Sequence, residues 1–429
     1  MLIDFTVANY RSIKDPVTLS AVEAASARGK ARGDGSKRTI KSDAEIAAPR
    51  PVEGRGIALL PVLGIFGANA SGKSNVVRAL NDLLCLMASP QADWGGLRRL
   101  IPFRLDAGSA QHSTKFELRV MAGDAIYTFN LEASPERVFG EKLTYLPLRA
   151  RSDQLLYKRQ WVENEGRYRW SNGKSFAGPH TQLQPGLKEN QLFVTLMVKQ
   201  VGVQIVNSFA GWVGDYWAGI TLGEEDSDHQ TASMVAHNNS HWRGRILDFI
   251  RGFDTGVSDM EVRQRDDQPG RLTHQYEVVV HHETAHGRVA WPLEEESTGT
   301  QRLFGIAPKV VYALGTGRLI VVDELGSNIH PRITRHMVRM FQEESTNPLR
   351  AQLIFTSHDN TLQRNQLLRR DQIWFTQKRR DGSTELYPLS DFRVRNDLAI
   401  DRAYLDGRFG AVPLLPDAED APVPAESAG

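Results

Sequence analysis

Residues 64–80, GIFGANASGKSNVVRAL, decide the fold because they join an apolar strand to a helix through a glycine-rich turn. Residues 67–74, GANASGKS, match the pattern G-x-x-x-x-G-K-[ST], whose backbone N–H groups wrap a phosphate at the start of a helix. In that pattern Lys73 reaches the β- and γ-phosphates of a nucleotide, and the Ser74 hydroxyl is a ligand for Mg²⁺. The strand before and the helix after make the match specific, so we predict a nucleotide-binding loop.

A second motif lies about 250 residues further along, in residues 318–331, RLIVVDELGSNIHP. Its apolar run, residues 319–322, is typical of a buried parallel strand, and two acids follow at the carboxyl end of that strand. We predict that Asp323 holds Mg²⁺ and that Glu324 polarises the attacking water. The alternative, a strand end with two solvated acids, is weaker once a phosphate loop is present.

Residues 294–304, EEESTGTQRLF, end a run of acids and begin an apolar helix. Ser297 and Thr298 are favourable at a helix N-terminus, and Gly299 lets another group approach the backbone closely. A helix start with unpaired N–H groups binds anions, so this stretch is a candidate second phosphate site. Taken alone, a plain helix cap is the commoner interpretation.

Composition describes a globular chain without a strong overall charge. The 429 residues include 52 basic and 51 acidic side chains, and 41% are hydrophobic. A net charge of +1 gives no overall attraction for nucleic acid, although a local basic patch is compatible with it. The single Cys85 excludes a disulfide framework within one chain, and its apolar neighbours predict an inert core thiol. Because no signal peptide and no run of about 18 apolar residues occurs, we expect a cytoplasmic protein.

We divide the chain into four segments. Residues 1–140 begin with an alternating strand, MLIDFTVANYRSI, and contain the phosphate loop; within them, residues 26–56 are predicted to be a mobile surface loop. Residues 141–288 mix turn-rich and helical stretches and are interpreted as an insertion or lid region. Residues 289–415 alternate strands and helices, which predicts a parallel sheet that carries the two acids. Residues 416–429, rich in Pro, Ala and acids, are predicted to be disordered.

Together these motifs resemble the bacterial AAA-family ABC-like ATPases (AAA domain families fifteen and twenty-one), relatives of the SMC/RecF and overcoming-lysogeny-defect ATPases. The resemblance rests on FTVANYRSI, GIFGANASGKSNVVRAL, ESTGTQRLF, VVDELGSNIHP, IFTSHD and DQIWFTQKRRDGSTELYPLSDF, and on the long spacing between the phosphate loop and the acids. It spans nearly the whole chain and is weakest in residues 140–280. It implies an α/β fold: an ABC-type P-loop ATPase head, with a mixed sheet, flanking helices and an antiparallel β subdomain, that carries a mainly helical insertion.

The resemblance also implies how the residues act. ESTGTQ is the family's version of the ABC signature, so two chains dimerise head to tail and each signature caps the nucleotide in the partner's loop. His358, at the end of the apolar run in LIFTSHD, matches the switch histidine that contacts the γ-phosphate or the attacking water. The plainer alternative is a strand-end histidine bonded to its neighbours. The implied catalytic residues are Lys73, Glu324 and His358, and the implied signature residues are Ser297, Thr298 and Gly299.

The remaining implied residues line the nucleotide or the dimer interface. The predicted ATP-binding residues are Gly67, Asn69, Ala70, Ser71, Gly72, Lys73, Ser74 and Asn75, with Ser74 and Asp323 as the ligands of Mg²⁺. The predicted dimer-communication loop contains Ser327, Asn328 and His330. Arg11 resembles a basic residue that approaches nucleotide in related ATPases, and a surface arginine is the open alternative. Gln111 is a candidate for the glutamine loop, whose position the motifs do not fix.

Some features depart from the family pattern or compete with it. Glu296 precedes the signature serine and Thr298 replaces a glycine of the usual Leu-Ser-Gly-Gly-Gln wording, while Pro308 predicts a kink in the helix that follows. HHETAHG, residues 281–287, is interpreted as a hairpin turn and not as a zinc site, and QKRRDG, residues 377–382, as another hairpin tip.

Two functions remain as hypotheses. The first is an ATP- and Mg²⁺-dependent ATPase, a homodimer or a higher homo-oligomer of dimers, that acts as the sensor or regulatory ATPase of an antiphage (abortive infection) system. Since only about 70 residues follow His358, which is short for a nuclease domain, we expect a separately encoded effector, a nuclease or toxin. The alternative is a RecF/SMC-like DNA-binding ATPase clamp in DNA repair, which requires a basic surface for DNA. A purely structural nucleotide latch is disfavoured because a latch needs no water-activating carboxylate such as Glu324, and no membrane partner is expected.

Overall fold

The computed structural model describes residues 1–24, 48–88, 96–176, 178–200, 204–214, 220–221, 225–265, 276–364, 367–395 and 398–413. The disordered tail predicted for residues 416–429 lies outside these ranges, as do residues 26–47 of the predicted surface loop. The described end of that loop contains a short strand that pairs with the next one, so the loop prediction is wrong for residues 50–52.

The strands of the described residues follow in chain order. They are β1 (Leu2–Ala8), β2 (Val17–Ser20), β3 (Arg50–Val52), β4 (Ile57–Leu59), β5 (Val62–Gly67), β6 (Thr114–Ala122), β7 (Ala125–Ala133), β8 (Val138–Pro147), β9 (Gln154–Val162), β10 (Arg167–Asn172), β11 (Ile220–Thr221), β12 (Val257–Gln264), β13 (Tyr276–Thr284), β14 (Gly287–Pro292), β15 (Leu319–Val322), β16 (Gln352–Thr356), β17 (Ile373–Lys378) and β18 (Thr384–Pro388).

The α-helices of the described residues lie between these strands, except the last helix, which follows β18. They are α1 (Lys73–Ala88), α2 (Ala107–Ala110), α3 (Phe193–Gln200), α4 (Gln204–Gly214), α5 (Glu225–Asn238), α6 (Ser240–Arg251), α7 (Thr298–Thr316), α8 (Pro331–Gln342) and α9 (Ile400–Leu405). None of these helices is both long and apolar enough to span a membrane.

A mixed sheet carries the phosphate loop and the two acids. Its strand order is β11-β15-β16-β5-β17-β18, and every neighbouring pair is parallel except β17 with β18. The apolar strands β5, β15 and β16 are buried along their whole length, as their sequences predict. Since parallel strands end at one edge of the sheet, the loop after β5 and the residues after β15 and β16 meet there.

An antiparallel sheet forms the second large layer. Its order is β10-β9-β8-β7-β6-β1-β2, and each neighbouring pair is antiparallel. Alternation along β6, where every second residue from Thr114 is buried, matches a sheet with one face toward the core and one toward solvent. The predicted combination of a mixed sheet with an antiparallel β subdomain is therefore confirmed.

Two hydrophobic cores lie on the two faces of the mixed sheet. Alternate residues of β5 divide between them: Leu63 and Ile65 join the core that contains α1 and the antiparallel sheet. Val62 and Phe66 join the core that contains α7 and α8. The phosphate-loop strand thus contributes to both cores, which fixes the loop at its end from both sides.

The segment 141–288 differs from the expected mainly helical insertion. It contains helices α3–α6, but also β9–β13, and the predicted boundary after residue 140 falls inside β8. β8–β10 extend the antiparallel sheet, and β12–β14 form a separate three-stranded sheet. The strand content was missed because β10, RYRWSN, has mostly polar, exposed residues and so lacks a strong apolar alternation. The limits of the four segments stay a prediction.

The side chain of Gln352 joins the two large sheets by hydrogen bonds. Its side-chain Oε1 accepts the N–H of Leu2 at 2.5 Å, and its Nε2 donates to the carbonyl oxygens of Leu2 and Leu60, both at 3.1 Å. The amide thus satisfies backbone groups of β1 and of the turn before β5 from a position on β16. Because these groups are buried, losing the amide leaves them without partners, and each unpaired buried group costs about 1–3 kcal/mol.

We predict that Gln352→Leu lowers the free energy of unfolding by at least about 3 kcal/mol, since the apolar side chain leaves several buried polar groups unpaired. Urea denaturation followed by tryptophan fluorescence measures the change. Gln111→Leu makes the same chemical change at an exposed position and should stay within about 0.5 kcal/mol of the parent protein. An equal loss in both variants would show that Gln352 does not act through these bonds.

Candidate functional site

The phosphate-loop motif forms a tight turn between β5 and α1. Gly67 and Gly72 have φ angles of 154° and 105°, and Ala70 has a φ of 60°. A Cβ at Gly72 would lie 2.7 Å from Thr384 Cγ2, so only glycine fits against β18 there. The loop is therefore closed by its contacts with the strands behind it, and its outer residues Asn69 and Ala70 are exposed.

Lys73 occupies the mouth of this loop. Its Nζ donates hydrogen bonds to the carbonyl oxygens of Gly67 at 2.9 Å and of Ala68 at 3.0 Å. Burial lowers the pKa of Lys73 to about 8, while the carboxylates of Asp323 and Glu324 act in the opposite direction. An ammonium group held by two carbonyl oxygens of the loop is placed to meet a phosphate that enters it.

The first acid after β15 faces the start of α1. Ser74 Oγ donates to Asp323 Oδ1 at 3.1 Å, and Thr356 Oγ1 donates to the same oxygen at 2.5 Å. A carboxylate and a hydroxyl oxygen beside a phosphate loop are the hard ligands that Mg²⁺ prefers. The residues present therefore fit the predicted magnesium site.

The second acid takes an unusual backbone conformation. Glu324 has a φ of 57°, and its N–H donates to Thr356 Oγ1 at 2.8 Å. A non-glycine residue in the left-handed region costs roughly 1–3 kcal/mol, and such strain is concentrated at functional sites. The turn sends the Glu324 side chain out into solvent, where 52% of it is exposed.

His358 lies beside this carboxylate. Its Nε2 is 3.9 Å from Glu324 Oε1, and 45% of its side chain is exposed. Burial, followed by the positive charge of Lys73, lowers the pKa of His358 from its usual value, although Glu324 and Asp323 oppose that shift. The neutral imidazole is therefore favoured near neutral pH. The structure thus brings the loop, both acids and the histidine to one edge of the mixed sheet.

Hydroxyl residues that the sequence did not single out join these parts. Thr356 links the two acids, as described, and Thr384 Oγ1 donates to the Ser71 carbonyl at 3.0 Å. Ser71 Oγ lies 2.6 Å from Thr376 Oγ1, and Ser12 Oγ accepts from Asn75 Nδ2 at 2.7 Å. No sequence pattern indicated these residues, because the contacts themselves join residues far apart in the chain. Thr356 and Thr384 lie at strand ends, whereas Thr376 lies within β17 and Ser12 in the turn after β1. The hydroxyl residues that the sequence did not indicate are Ser12, Thr356, Thr376 and Thr384.

Neither Arg11 nor Gln111 forms a hydrogen bond to the phosphate loop within the described residues, and their surroundings differ. Arg11 has a φ of 50°, and its Nε donates to the hydroxyl of Tyr10, which donates to the buried Asp82 of α1. The side chain is thus tied to the side of α1. Gln111 ends the short helix α2 with its side chain exposed. No hydrogen bond within the described residues joins the Gln111 side chain to the phosphate loop, so the glutamine loop stays unassigned.

The signature stretch caps helix α7. Ser297 Oγ accepts the N–H of Thr300 at 3.1 Å, which confirms the predicted helix start. Ser297 and Thr298 are exposed, and no acceptor within the described residues receives the N–H of Thr298 or of Gly299. The helix start therefore presents two unpaired donors to solvent. Within the same residues, no hydrogen bond or ion pair joins Ser297, Thr298 or Gly299 to the phosphate loop.

The predicted communication loop lies against the signature. A Cβ at Gly299 would be 3.0 Å from the Asn328 carbonyl oxygen, and Asn328 has a φ of 59°. Ser327 donates its N–H to the Glu324 carbonyl at 3.1 Å, and His330 Nδ1 accepts the N–H of Arg332 at the start of α8. A chain of direct contacts thus runs from the signature to the residue predicted to be the catalytic base.

The structure also places the two hairpin stretches, Pro308 and Cys85. HHETAHG spans the end of β13 and the hairpin turn to β14, and QKRRDG spans the end of β17 and the hairpin turn to β18, as predicted. No group of three or more metal-binding side chains of the His, Cys, Asp and Glu types occurs in the described part of the chain. Pro308 lies inside α7, which is continuous from Thr298 to Thr316. Burial raises the pKa of Cys85 to about 11, which agrees with an inert thiol.

Comparisons with known proteins give the family. Residues 62–364 match the family described as "AAA domain, putative AbiEii toxin, Type IV TA system". No curated protein matches the chain.

Solved structures that resemble the chain include two Smc heads. The first is titled "Crystal structure of the SmcHead bound to the C-winged helix domain of ScpA", with 11% identity, a TM-score of 0.47, and coverage of 94% of this chain and 99% of that chain. The second is an Smc head domain with an extended coiled coil bound to the C-terminal domain of ScpA, derived from Pyrococcus furiosus; it has 11% identity, a TM-score of 0.38, and coverage of 95% and 98%. Since the family match covers more than two-thirds of the 429 residues, the protein belongs to this AAA family of P-loop ATPases.

Proposed function

We propose that this protein binds and hydrolyses ATP between two chains. The observation that carries the proposal is the division of the site into two halves. The phosphate loop meets Asp323, Glu324 and His358 at one sheet edge, whereas the exposed start of α7 has two N–H donors without acceptors. A second anion-binding helix start without a hydrogen bond or ion pair to the loop, within the described residues, is explained if it serves the nucleotide of another chain.

Each residue near the loop has a definite task in this proposal. The backbone of residues 67–75 wraps the phosphates, and Lys73 exchanges its two carbonyl partners for phosphate oxygens. Ser74 and Asp323 would hold Mg²⁺, which would supply positive charge against the phosphates. Glu324 orients and accepts a proton from the attacking water, and His358 contacts the γ-phosphate side of the site.

The start of α7 completes the site in the partner. Ser297 and the N–H groups of Thr298 and Gly299 meet the γ-phosphate held by the other chain, so the nucleotide joins two chains head to tail. Asn328, Ser327 and His330 then lie at the dimer interface. The assembly is a homodimer or a higher homo-oligomer of dimers, with ATP and Mg²⁺ as its ligands.

We further propose a regulatory role in the cytoplasm. The family description names a putative toxin of a type IV toxin–antitoxin system, which supports a sensor or regulatory ATPase in antiphage defence by abortive infection. Such an ATPase acts with a separately encoded effector, a nuclease or a toxin. Closure of the dimer around ATP is the event that the effector would detect.

Glu324→Gln tests the role of the catalytic base. The amide keeps the size of the side chain but accepts no proton, so we expect kcat to fall by at least about 100-fold. Binding of Mg-ATP should remain, and dimers should accumulate on size-exclusion chromatography with ATP because hydrolysis no longer opens them. Glu343→Gln, an exposed residue after α8, is the matched control. Undiminished hydrolysis by Glu324→Gln would refute the base role.

A mixture of two inactive variants tests the shared site. Lys73→Ala should abolish Mg-ATP binding, and Ser297→Arg should block the helix start while leaving the loop intact. Mixed in equal amounts, they should recover up to about a quarter of the parent activity, because half of randomly paired dimers are mixed and each holds one intact site. Ser345→Arg makes the same change at an exposed position and should be active alone. If the mixture stays inactive while both variants fold, the arrangement in trans is wrong.

One observation favours a second candidate function, a DNA-binding ATPase clamp. Lys142 of β8 and Lys158 of β9 are direct cross-strand partners, both are exposed, and neither forms an ion pair within the described residues. Like charges directly opposite each other destabilise a sheet, whereas a bound polyanion compensates them. On the same sheet, Lys115 has an opposite charge as its cross-strand partner, since it pairs with Glu132 at 3.4 Å.

The double variant Lys142→Ala/Lys158→Ala tests this candidate. If the sheet binds duplex DNA, the variant should lose affinity and reduce the slope of log K against log salt by about 1.8, since each phosphate contact contributes roughly 0.9. Fluorescence anisotropy with a labelled duplex at several salt concentrations measures both quantities. Lys115→Ala is the control, because that lysine is already paired. Absence of measurable duplex binding by the parent protein at low salt would exclude the clamp.

A further inference from the structure

The residue before the signature serine is held in a buried position by a separate hairpin. Only 9% of the Glu296 side chain is exposed. Its Oε1 lies 2.7 Å from His282 Nε2 and 2.8 Å from Trp291 Nε1. The indole N–H can only donate, and an ionised carboxylate can only accept, so His282 carries a proton on Nε2. One carboxylate oxygen therefore receives two donors from β13 and β14.

The two donors are fixed relative to each other. The rings of His282 and Trp291 stack with their centroids 4.2 Å apart and their planes inclined by 12°. β13 and β14 are joined by a continuous antiparallel register, which sets the separation of the two side chains. His282 and Trp291 therefore form a rigid pair of hydrogen-bond donors for the Glu296 carboxylate.

The backbone of Glu296 is fixed independently of its side chain. Its N–H donates to the Leu293 carbonyl at 3.0 Å, and its carbonyl accepts from Gln301 Nε2 at 2.9 Å. If the two donors were lost, the backbone would stay in place and only the carboxylate would move. A carboxylate is attracted to a helix N-terminus, and Glu296 is adjacent to Ser297, the cap of α7.

A Glu296 carboxylate released by His282 and Trp291 would move to the start of α7. Ser297 Oγ already serves the N–H of Thr300, but the N–H groups of Thr298 and Gly299 lack acceptors within the described residues. A free Glu296 carboxylate would offer these donors a negative charge from the same chain. It would then occupy the place that the partner's γ-phosphate takes in the proposed dimer.

We infer that His282 and Trp291 are positioning residues that hold the Glu296 carboxylate away from the signature and so keep the helix start free for the partner's nucleotide. This inference rests on the proposed function of the α7 start. It assigns the β13–β14 hairpin a part in hydrolysis, although no hydrogen bond or ion pair within the described residues joins the hairpin to the phosphate loop. A displaced hairpin turns Glu296 into an inhibitor built into the chain.

The test compares the ATPase activity of a double variant with the activities of the two single variants. His282→Phe keeps an aromatic ring against Trp291 but removes a donor, so the released carboxylate should lower ATPase activity by about tenfold, the upper range for a charge at a helix end. Glu296→Gln has no charge to release and should stay within about threefold of the parent. The double variant His282→Phe/Glu296→Gln should recover to about the level of Glu296→Gln. A plain structural brace predicts the opposite, a double variant at least as impaired as His282→Phe.

Controls separate this effect from misfolding. His286→Phe changes a histidine at the exposed tip of the same hairpin and should leave activity unchanged. Trp291→Phe removes the other donor, keeps an aromatic ring, and should also be rescued by Glu296→Gln. Mg-ATP affinity under conditions that keep the chains monomeric should equal that of the parent in every variant, because the phosphate loop is untouched. If neither His282→Phe nor Trp291→Phe lowers activity, or if Glu296→Gln rescues neither, the inference is wrong.

A mixing experiment distinguishes this failure from failure of the proposed function. His282→Phe chains mixed with Lys73→Ala chains should gain activity, since the intact loop of one then meets the intact helix start of the other. The mixture of Ser297→Arg with Lys73→Ala is run in parallel. Recovery in the Ser297 mixture without recovery in the His282 mixture overturns only the inference. No recovery in the Ser297 mixture overturns the arrangement in trans on which both depend.

Discussion

The hydrogen bonds of Thr356 are the interaction on which the geometry of the site depends. From the end of β16, its hydroxyl donates to Asp323 and accepts the N–H of Glu324, so it fixes both acids that follow the neighbouring strand β15. The chain after β15 must therefore turn at once, and the left-handed conformation of Glu324 follows from that turn. One acid stays buried beside Ser74, and the other points outward toward His358. A single hydroxyl thus gives two adjacent carboxylates different surroundings, which suits the different tasks proposed for them.

This arrangement needs a rigid support, which the two cores and Gln352 supply. β5 contributes to the cores on both faces of the mixed sheet. A shift of its end would therefore disturb the packing of both cores. Gln352 ties β1 to β16, the strand that carries Thr356. The turn after β1 then brings Ser12 against Asn75 at the start of α1. The antiparallel sheet thereby supports the phosphate loop, although it contributes none of the predicted catalytic residues.

Short motifs were predictable because their chemistry is local. The loop at residues 67–74, the acids after β15 and the cap of α7 each depend on neighbours in sequence, and all three were found where the patterns placed them. Thr356 and Gln352 were not predicted, because their importance lies in partners on other strands. The strands of segment 141–288 were underestimated because their exposed polar residues hide the alternation. The pair of hydrogen-bond donors for Glu296 was missed for a similar reason: HHETAHG was correctly interpreted as a hairpin, but the sequence does not indicate what the hairpin contacts.

The contact between Gly299 and Asn328 has a thermodynamic consequence for the proposed dimer. In that dimer each chain would carry a signature that serves one nucleotide and a base that serves the other. Only Asn328 and Ser327 separate Gly299 from Glu324, because the Ser327 N–H donates directly to the Glu324 carbonyl. If the proposed dimer forms, occupancy at one composite site would change the free energy of binding at the second. Because such coupling is reciprocal, each nucleotide influences the other by the same factor. The two sites of a closed dimer then behave as one cooperative unit, with a short turn as the element that relates them.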